Sequence, residues 1–511
     1  MPEGSQKIYV QIAVALPVSG TFTYTVTGDL VNKAGVGKRV IVSFSGRKVT
    51  GYILRIIQPE NRKGLKDIIN IIDPYPLFPP NMVEFFEWLS NYYLYPIGLV
   101  IKTALPTGLN VRIPYGTEMP PKGWLDRVGL LKRVFITVKK GTFLDRSLFD
   151  PKRAPRNEGE FLEMIIKKKE VSLQEVKKAF NNGAYLVDKW VKKGFLKRSL
   201  RQVVRDIAGE NIFISPNPPP LSVKQKEVLE KISGKLKEKS FFTYLLHGVT
   251  GSGKTEVYYK AVKVATELGR QSIIMVPEIA LTVSLASLFK ARLRDRVAVL
   301  HSALSPGERY DQWIRIANGE ADVVIGARSA LFAPISRPGL IIIDEEHDSS
   351  YKQEEKFRYQ ARDAAIVRAK LSQSLIILGS GTPSIQSYQN ATIGKYGLLT
   401  MPERILKREP PDITVIDMTR FEGSPTVQND SIISPPLREA IGENLAKKKQ
   451  TILFLNRRGF SALYLCRFCG ETLRCPNCDV SLTYHKQGNN LLCHYCGFRI
   501  QPPDRCPSCN R

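Results

Sequence analysis

No cysteine precedes Cys466, no long uncharged apolar run occurs, and acidic residues are scarce beside basic ones. Each shortage excludes something. Without cysteines through its body the chain is not a disulfide-stapled fold, and the expected setting is a reducing, cytoplasmic one. Without about 18 consecutive apolar residues there is no membrane-spanning helix to expect. The charges between Met1 and Val18 do not follow the order of a signal peptide. The chain has 48 acidic against 75 basic residues, a formal charge of +27. That excess favours a polyanionic partner, and with no membrane signal nucleic acid leads. Internal repeats and long low-complexity segments are also missing. What remains is 511 residues with ordinary hydrophobic and aromatic content, enough for about three or four globular domains.

Four stretches organise the chain. Tyr9–Leu16, Thr21–Val26, Lys38–Phe44 and Thr50–Ile57 are β-branched runs bounded by Gly, Ser or Asp, and Met82–Tyr95 has helical spacing. Together they predict a small β-barrel-like module with a helix. A linker-like stretch, Pro114 to Gly123, leads to three short predicted helices, Glu160–Lys168, Ser172–Ala179 and Ala184–Lys193. Phe195–Leu200 and Gln202–Val204 then read as a wing strand pair. Basic residues cluster there, including Lys167, Lys168, Lys177, Lys192, Lys197, Arg198, Arg201 and Arg205. Basic runs are usually solvated faces, but a compact helical set with a basic wing points to a winged-helix DNA contact. After Asn217-Pro218-Pro219-Pro220 the pattern alternates strand and helix. Strands are expected at Phe241–Leu246, Ser272–Val276, Val297–Leu300, Asp322–Ile325, Leu340–Ile343, Leu375–Leu378, Ile413–Ile416 and Thr451–Leu455. This predicts an α/β domain with a mainly parallel sheet.

Chemistry concentrates at the ends of those strands. Gly248-Val249-Thr250-Gly251-Ser252-Gly253-Lys254-Thr255 fits G-x-x-x-x-G-K-[ST] and lies between an apolar run and a helix-compatible one. That context is what a phosphate-binding loop requires. Its glycines let backbone N–H groups turn inward, Lys254 can reach the β/γ-phosphates of ATP, and the Thr255 hydroxyl can ligate Mg²⁺. A second apolar run ends in Asp344-Glu345-Glu346-His347. Asp344 can hold Mg²⁺ through water, Glu345 can orient and deprotonate an attacking water, and His347 can couple the turn to a neighbouring loop. Ser380-Gly381-Thr382-Pro383 follows another strand. Alone it would be an ordinary turn. The loop after the acidic turn, Ser349 to Tyr359, interleaves Tyr351, Phe357 and Tyr359 with Lys352, Lys356 and Arg358. Aromatic faces can stack on bases while the cations meet phosphates.

All eight cysteines fall between Cys466 and Cys509, as C-x₂-C-x₅-C-x₂-C-x₁₄-C-x₂-C-x₉-C-x₂-C. Four chelating pairs supply the ligands of two tetrahedral Zn²⁺ sites. Disulfides and iron–sulfur ligation are the alternatives. The spacing sets Cys475, Cys478, Cys493 and Cys496 apart as an inner, ribbon-like group and leaves Cys466, Cys469, Cys506 and Cys509 as an outer one. His247, His301, His485 and His494 read as structural.

Together these residues resemble the PriA family of primosomal replication-restart helicases, superfamily 2 DNA helicases. The resemblance rests on the two nucleotide motifs and on Val276 to Thr282, Gly326 to Phe332, Arg358 to Asp363, Leu455 to Gly459 and the cysteine spacing. It implies a multidomain α/β chain. Residues 1–113 would form a β-rich domain binding a DNA 3′ end, and 124–208 a winged-helix domain. Residues 221–430 would form a RecA-like lobe, 431–465 the start of a second lobe and 466–511 a two-zinc Cys-rich insertion. It implies ATP-dependent 3′→5′ unwinding of forked DNA at stalled or abandoned forks. Hand-over to other primosome proteins, with single-stranded DNA-binding protein as a partner, follows from the same resemblance. It also supports the inner and outer zinc pairing. Phe22 and Lys66 would lie near the terminal nucleotide, and Gln225 would read adenine. Arg328, Lys352, Phe357, Arg358 and Tyr359 would contact DNA.

Thr23, Ser45-Gly46 and Gly381 depart from the family's usual acidic residue, Phe-Gly turn and alanine. Arg511 falls before most of the family's second lobe, so the alternative expectation is a DNA-fork-binding platform or fragment that binds ATP and zinc without unwinding.

Overall fold

The computed structural model describes residues 7–60, 63–109, 131–139, 142, 157–203, 220–405, 411–417, 433–454, 464–466, 468–477, 481–485, 488–493 and 496–511. They fall into two compact units, 1–408 and 409–511.

The first unit begins with strands β1 (Ile8–Val14), β2 (Phe22–Val26), β3 (Arg39–Phe44), β4 (Arg47–Ile57) and β5 (Ile68–Ile71), followed by helices α1 (Val83–Tyr92) and α2 (Ile97–Ala104). The sheet order is β2-β1-β4-β3-β5, and the pairs within it are antiparallel. A bridge between Thr25 and Asp67 draws its two edges toward each other. The β3–β4 hairpin turns through Ser45 and Gly46, both at positive φ, the geometry that matches strand twist in a two-residue loop. Period-two alternation splits the strands cleanly. Val10, Ile12 and Ile53 fill the sheet's own core. Ala13, Tyr52 and Leu54 face the other way, toward α1 and α2. The helix expected over Met82–Tyr95 forms as α1, the chain turns through Leu94 at φ 51°, and α2 follows with Pro96 as its N-cap. A Cβ on Gly98 would collide with the Val14 carbonyl, so the glycine sets how closely α2 approaches β1.

Next come β6 (Leu131–Val138), α3 (Glu158–Lys168), β7 (Glu170–Ser172), α4 (Leu173–Ala179), α5 (Gly183–Lys192) and β8 (Leu196–Val203). The three strands form a sheet in the order β7-β6-β8. The expected wing pair is a single strand: β8 runs unbroken and pairs with β6 from Leu131↔Val203 to Val138↔Leu196. No strand was anticipated where β6 lies. Phe161, Ile165, Val187 and Trp190 pack beneath this sheet.

The largest body contains α6 (Val223–Glu238), β9 (Phe242–Gly248), α7 (Lys254–Glu267), β10 (Gln271–Met275), α8 (Ile279–Leu293), β11 (Val297–Leu300) and α9 (Pro306–Ala317). It continues through β12 (Val323–Gly326), β13 (Pro338–Asp344), α10 (Ala361–Leu371), β14 (Leu375–Ser380), α11 (Ile385–Thr392) and β15 (Gly397–Met401). Seven strands pair in parallel in the order β11-β12-β10-β13-β14-β9-β15. Runs such as Leu340–Ile343 are buried throughout because helices cover both faces. The seventh strand is Gly397–Met401 beside β9. The two strands expected later do not form: residues 411–417 and 451–454 are irregular.

The N-terminal module and this sheet share one hydrophobic core, reaching from Tyr52 and Phe86 to Phe332 and Ala365. Trp313 is buried in it and donates Nε1–H to the Leu77 carbonyl at 2.6 Å. Arg368 lies against Phe85 and donates to the carbonyls of Leu331 and Ala333; burial pulls its pKa down to about 9.

The second unit contains α12 (Pro435–Ala446) and a small antiparallel sheet of β16 (Thr483–His485), β17 (Asn490–Leu492) and β18 (Arg499–Ile500). No helix among the described residues is long and apolar enough to cross a membrane.

The Trp313–Leu77 hydrogen bond yields the first prediction. Trp313→Phe keeps most of the buried ring but leaves the Leu77 carbonyl unpaired, a cost of about 1–3 kcal/mol. Denaturant unfolding followed by intrinsic fluorescence should show that loss.

Candidate nucleotide site and zinc centres

The phosphate loop joins β9 to α7. Gly251 and Gly253 sit at φ 83° and 80°, conformations that side chains resist. Lys254 Nζ donates to the Gly248 carbonyl at 2.7 Å, so the ammonium caps the loop it belongs to. The Ser252 hydroxyl is buried without a hydrogen-bond partner. Gln225 is buried as well. Its amide oxygen accepts from the Ser222 N–H at 2.8 Å, closing a capping box at the start of α6. Its Nε2 donates to the carbonyls of Ser252 and Gly253. The side chain expected to read a base is here committed to the loop.

The acidic turn lies at the end of β13, beside β14, where Asp344 pairs with Gly379. Burial raises the pKa of Asp344, while a hydrogen bond from Tyr258 and the charge of Lys254 pull it back. Tyr258 Oη donates to Asp344 Oδ1 at 2.9 Å, and Tyr351 Oη donates to the Asp344 carbonyl at 2.6 Å. Glu345 takes φ 46°, a left-handed conformation that costs about 1–3 kcal/mol and persists only where neighbours enforce it. Here the Glu346 N–H binds the Gly379 carbonyl and the Asp348 N–H binds the Glu345 carbonyl.

His347 links this turn to the next one. Its Nδ1 lies 2.9 Å from Ser380 Oγ and its Nε2 3.4 Å from Thr382 Oγ1. Nδ1 is also 3.7 Å from Glu345 Oε2. Ser380 Oγ in turn accepts the Thr382 N–H. A Cβ on Gly381 would lie 3.5 Å from the Gly248 carbonyl, ordinary contact, so alanine would fit there.

Sequence reasoning passed over Glu346, which the structure buries to 1% exposure. Its carboxylate accepts from Arg362 Nη1 at 3.0 Å, the Ser384 N–H at 2.6 Å, Ser384 Oγ at 3.1 Å and Ser387 Oγ at 2.8 Å. This one group ties the turn to α10 and α11. Tyr258 was also missed. It lies four residues after Lys254, one helical turn along the same face, a spacing that could have flagged it.

The aromatic loop needs a correction. Phe357 and Tyr359 are buried, so neither offers a face to a base. Phe357 stacks on Tyr95 of the N-terminal module at 5.1 Å and on Tyr359 at 5.0 Å. Tyr93 Oη accepts the Gln360 N–H. Apolar packing between the modules consumes these rings. Lys352 and Arg358 remain exposed. Arg328 donates to the carbonyls of Ser350 and Lys352, spending its guanidinium on holding the loop. In the N-terminal module, Phe22 is half-buried edge-on to Phe44 at 4.8 Å. Lys66 is exposed, and its carbonyl accepts the N–H of Thr25, on the strand that carries Phe22.

In the second unit Cys466, Cys469, Cys506 and Cys509 bring four sulfurs together, and Cys475, Cys493 and Cys496 three; Cys478 lies outside the described residues. The S···S distances are 3.6 Å for Cys466–Cys509, 3.7 Å for Cys469–Cys506 and 3.5 Å for Cys475–Cys496. A tetrahedral Zn–S₄ centre with bonds of about 2.3 Å has edges of about 3.8 Å. The sets therefore fit zinc, and the distances are far too long for disulfides.

A parallel sheet with a phosphate loop and an acidic turn at the ends of the two strands that flank β14 defines a RecA-like helicase lobe. Residues 222–391 match the DEAD/DEAH box helicase model. Residues 11–106 match the 3′ DNA-binding domain model, and 475–500 the PriA DNA helicase Cys-rich region. The chain belongs to the PriA family of replication restart proteins. Replication restart protein PriA of Bacillus subtilis is 34% identical over 540 residues, covering 96% of this chain and 66% of its own. That of Chlamydia muridarum is 34% identical over 518 residues, covering 99% and 66%. That of Synechocystis is 33% identical over 583 residues, covering 99% and 68%. The chain thus spans about two thirds of the length of these relatives. The solved structure of RecG bound to a three-way DNA junction overlays 38% of this chain and 25% of that chain, at 26% identity and a TM-score of 0.29.

Glu346→Ala leaves the Ser384 N–H and the Ser384 and Ser387 hydroxyls without their acceptor, while Arg362 keeps its ion pair to Asp363 at 2.9 Å. It should cost about 1–3 kcal/mol in unfolding free energy, read by denaturant unfolding. Metal analysis should find two zinc ions per chain, falling to one in Cys466→Ser and to one in Cys475→Ser.

Proposed function

We propose that this chain is the nucleotide- and DNA-binding part of an ATP-dependent DNA helicase that acts 3′→5′ at stalled or abandoned forks and starts primosome assembly for replication restart. The carrying observation is the juxtaposition of the phosphate loop with the Asp344 turn, joined by His347 to Ser380 and Thr382. Lys254 already has its ammonium on the loop, and phosphate oxygens would replace the Gly248 carbonyl as its acceptor. Thr255 and Asp344 would hold magnesium, which when bound neutralises charge on the β- and γ-phosphates. Glu345 would orient and deprotonate the attacking water. Gln225 would read adenine once released from the loop carbonyls.

Phe22 and Lys66 would face the terminal nucleotide of a 3′-ended strand, and exposed Lys352 and Arg358 would meet DNA phosphates. The segment holding α3, α4 and α5 would add a winged-helix-type contact. Other primosome proteins and single-stranded DNA-binding protein are the partners this reading implies. The idle-platform alternative draws on no observation of the site itself.

Turnover of ATP by this chain should rise on adding forked DNA and fall by about a hundredfold or more in Lys254→Ala. A steady-state phosphate-release assay checks it. Turnover that ignores DNA, or that survives in Lys254→Ala, contradicts the reading.

A further inference from the structure

Tyr258 has no assigned part in the chemistry above, yet it touches the centre of it. The residue lies in the first turns of α7, its ring wholly buried. Its hydroxyl crosses from that helix to the end of β13 and donates to Asp344 Oδ1 at 2.9 Å. The space it occupies exists because the neighbouring position on β14 is glycine. A Cβ on Gly379 would fall on the Tyr258 hydroxyl, far inside contact distance, and also 3.5 Å from Asp344 Oδ1. Gly379 is registered directly opposite Asp344 in the sheet. Its φ is not in the left-handed region. Close approach of the tyrosine, not backbone freedom, is therefore what the glycine serves.

A wholly buried tyrosine needs a partner for its hydroxyl, and a carbonyl would have done. Choosing the carboxylate expected to hold magnesium fixes that carboxylate's rotation, while Tyr351 binds the backbone carbonyl of the same residue.

We propose that Tyr258 is a positioning residue: with Gly379 making room for it, its hydroxyl aims the Asp344 carboxylate at the magnesium that accompanies the nucleotide's phosphates. The inference rests on the reading of Asp344 as the magnesium-holding group. Tyr258→Phe keeps the buried ring and removes only the hydrogen bond. Gly379→Ala drives the hydroxyl away while leaving Tyr258 in the sequence.

The test is binding of a fluorescent, non-hydrolysable ATP analogue to the full chain, titrated with Mg²⁺ and repeated in EDTA. Removing a hydrogen bond to a charged group should raise the Mg²⁺ concentration for half-maximal binding by about tenfold in Tyr258→Phe. Affinity in EDTA should stay unchanged, and Gly379→Ala should show the same split. An unchanged Mg²⁺ requirement in Tyr258→Phe, with wild-type binding magnesium-dependent, overturns the positioning role and leaves the nucleotide site standing. Equal weakening with and without Mg²⁺ also overturns it, because that is what a packing role gives. Wild-type binding that ignores Mg²⁺, or that Asp344→Ala does not disturb, overturns the magnesium reading and this inference with it.

Discussion

Glu346 holds the acidic turn in shape. A carboxylate at 1% exposure is costly unless its charge and lone pairs are met, and here one guanidinium, two hydroxyls and a backbone N–H meet them. The charge is thereby pinned between β13, α10 and α11. Asp344 and Glu345 lie immediately before it and His347 immediately after, so their directions follow from its anchorage. The left-handed backbone at Glu345 is held from both sides: Tyr351 binds the Asp344 carbonyl before it, and Gly379 and Asp348 bind the peptide after it.

From that anchor the structure reaches the N-terminal module in a few steps. Arg362, the partner of Glu346, stands in the first turn of α10. Just before that helix, Gln360 is bound to Tyr93, and Phe357 stacks on Tyr95. The module matching a 3′ DNA-binding domain is therefore packed against the segment that carries the acidic turn's main counter-charge. One continuous core, not a hinge between separate cores, joins the two. Packed cores shift between discrete arrangements more readily than they deform continuously, which gives contacts in one module a physical route to the other.

Much of this was legible in the sequence where local chemistry and pattern agree. The phosphate loop, the acidic turn and the cysteine pairs are each written in a few adjacent residues, and Leu340–Ile343 could hardly be anything but a buried strand. The parts that were misread depend on distant partners. Phe357 and Tyr359 carry the composition of a base-stacking loop, but they are claimed by Tyr95 and Phe332, far away in the chain. Gly397–Met401 is a strand only because the edge of β9 needs pairing. Ile413–Ile416 has the β-branched composition of a strand but no neighbour among the described residues. Glu346 was passed over because two acids in a row look alike until burial separates them. Tyr258 looks like any core aromatic until Gly379 shows what its hydroxyl was given room to reach.

The proposed role of this turn, to meet a magnesium-bound nucleotide, can be tested directly. The most direct measurement is a crystal structure of this chain with Mg²⁺ and a non-hydrolysable ATP analogue. The expected result has phosphates in the 248–255 loop, Lys254 moved from the Gly248 carbonyl onto them, and Asp344 facing the metal with its Tyr258 hydrogen bond kept. The Glu346 cluster should be unmoved. Nucleotide bound elsewhere, or a metal site that forms only after the Glu346–Arg362 pair has come apart, would contradict it.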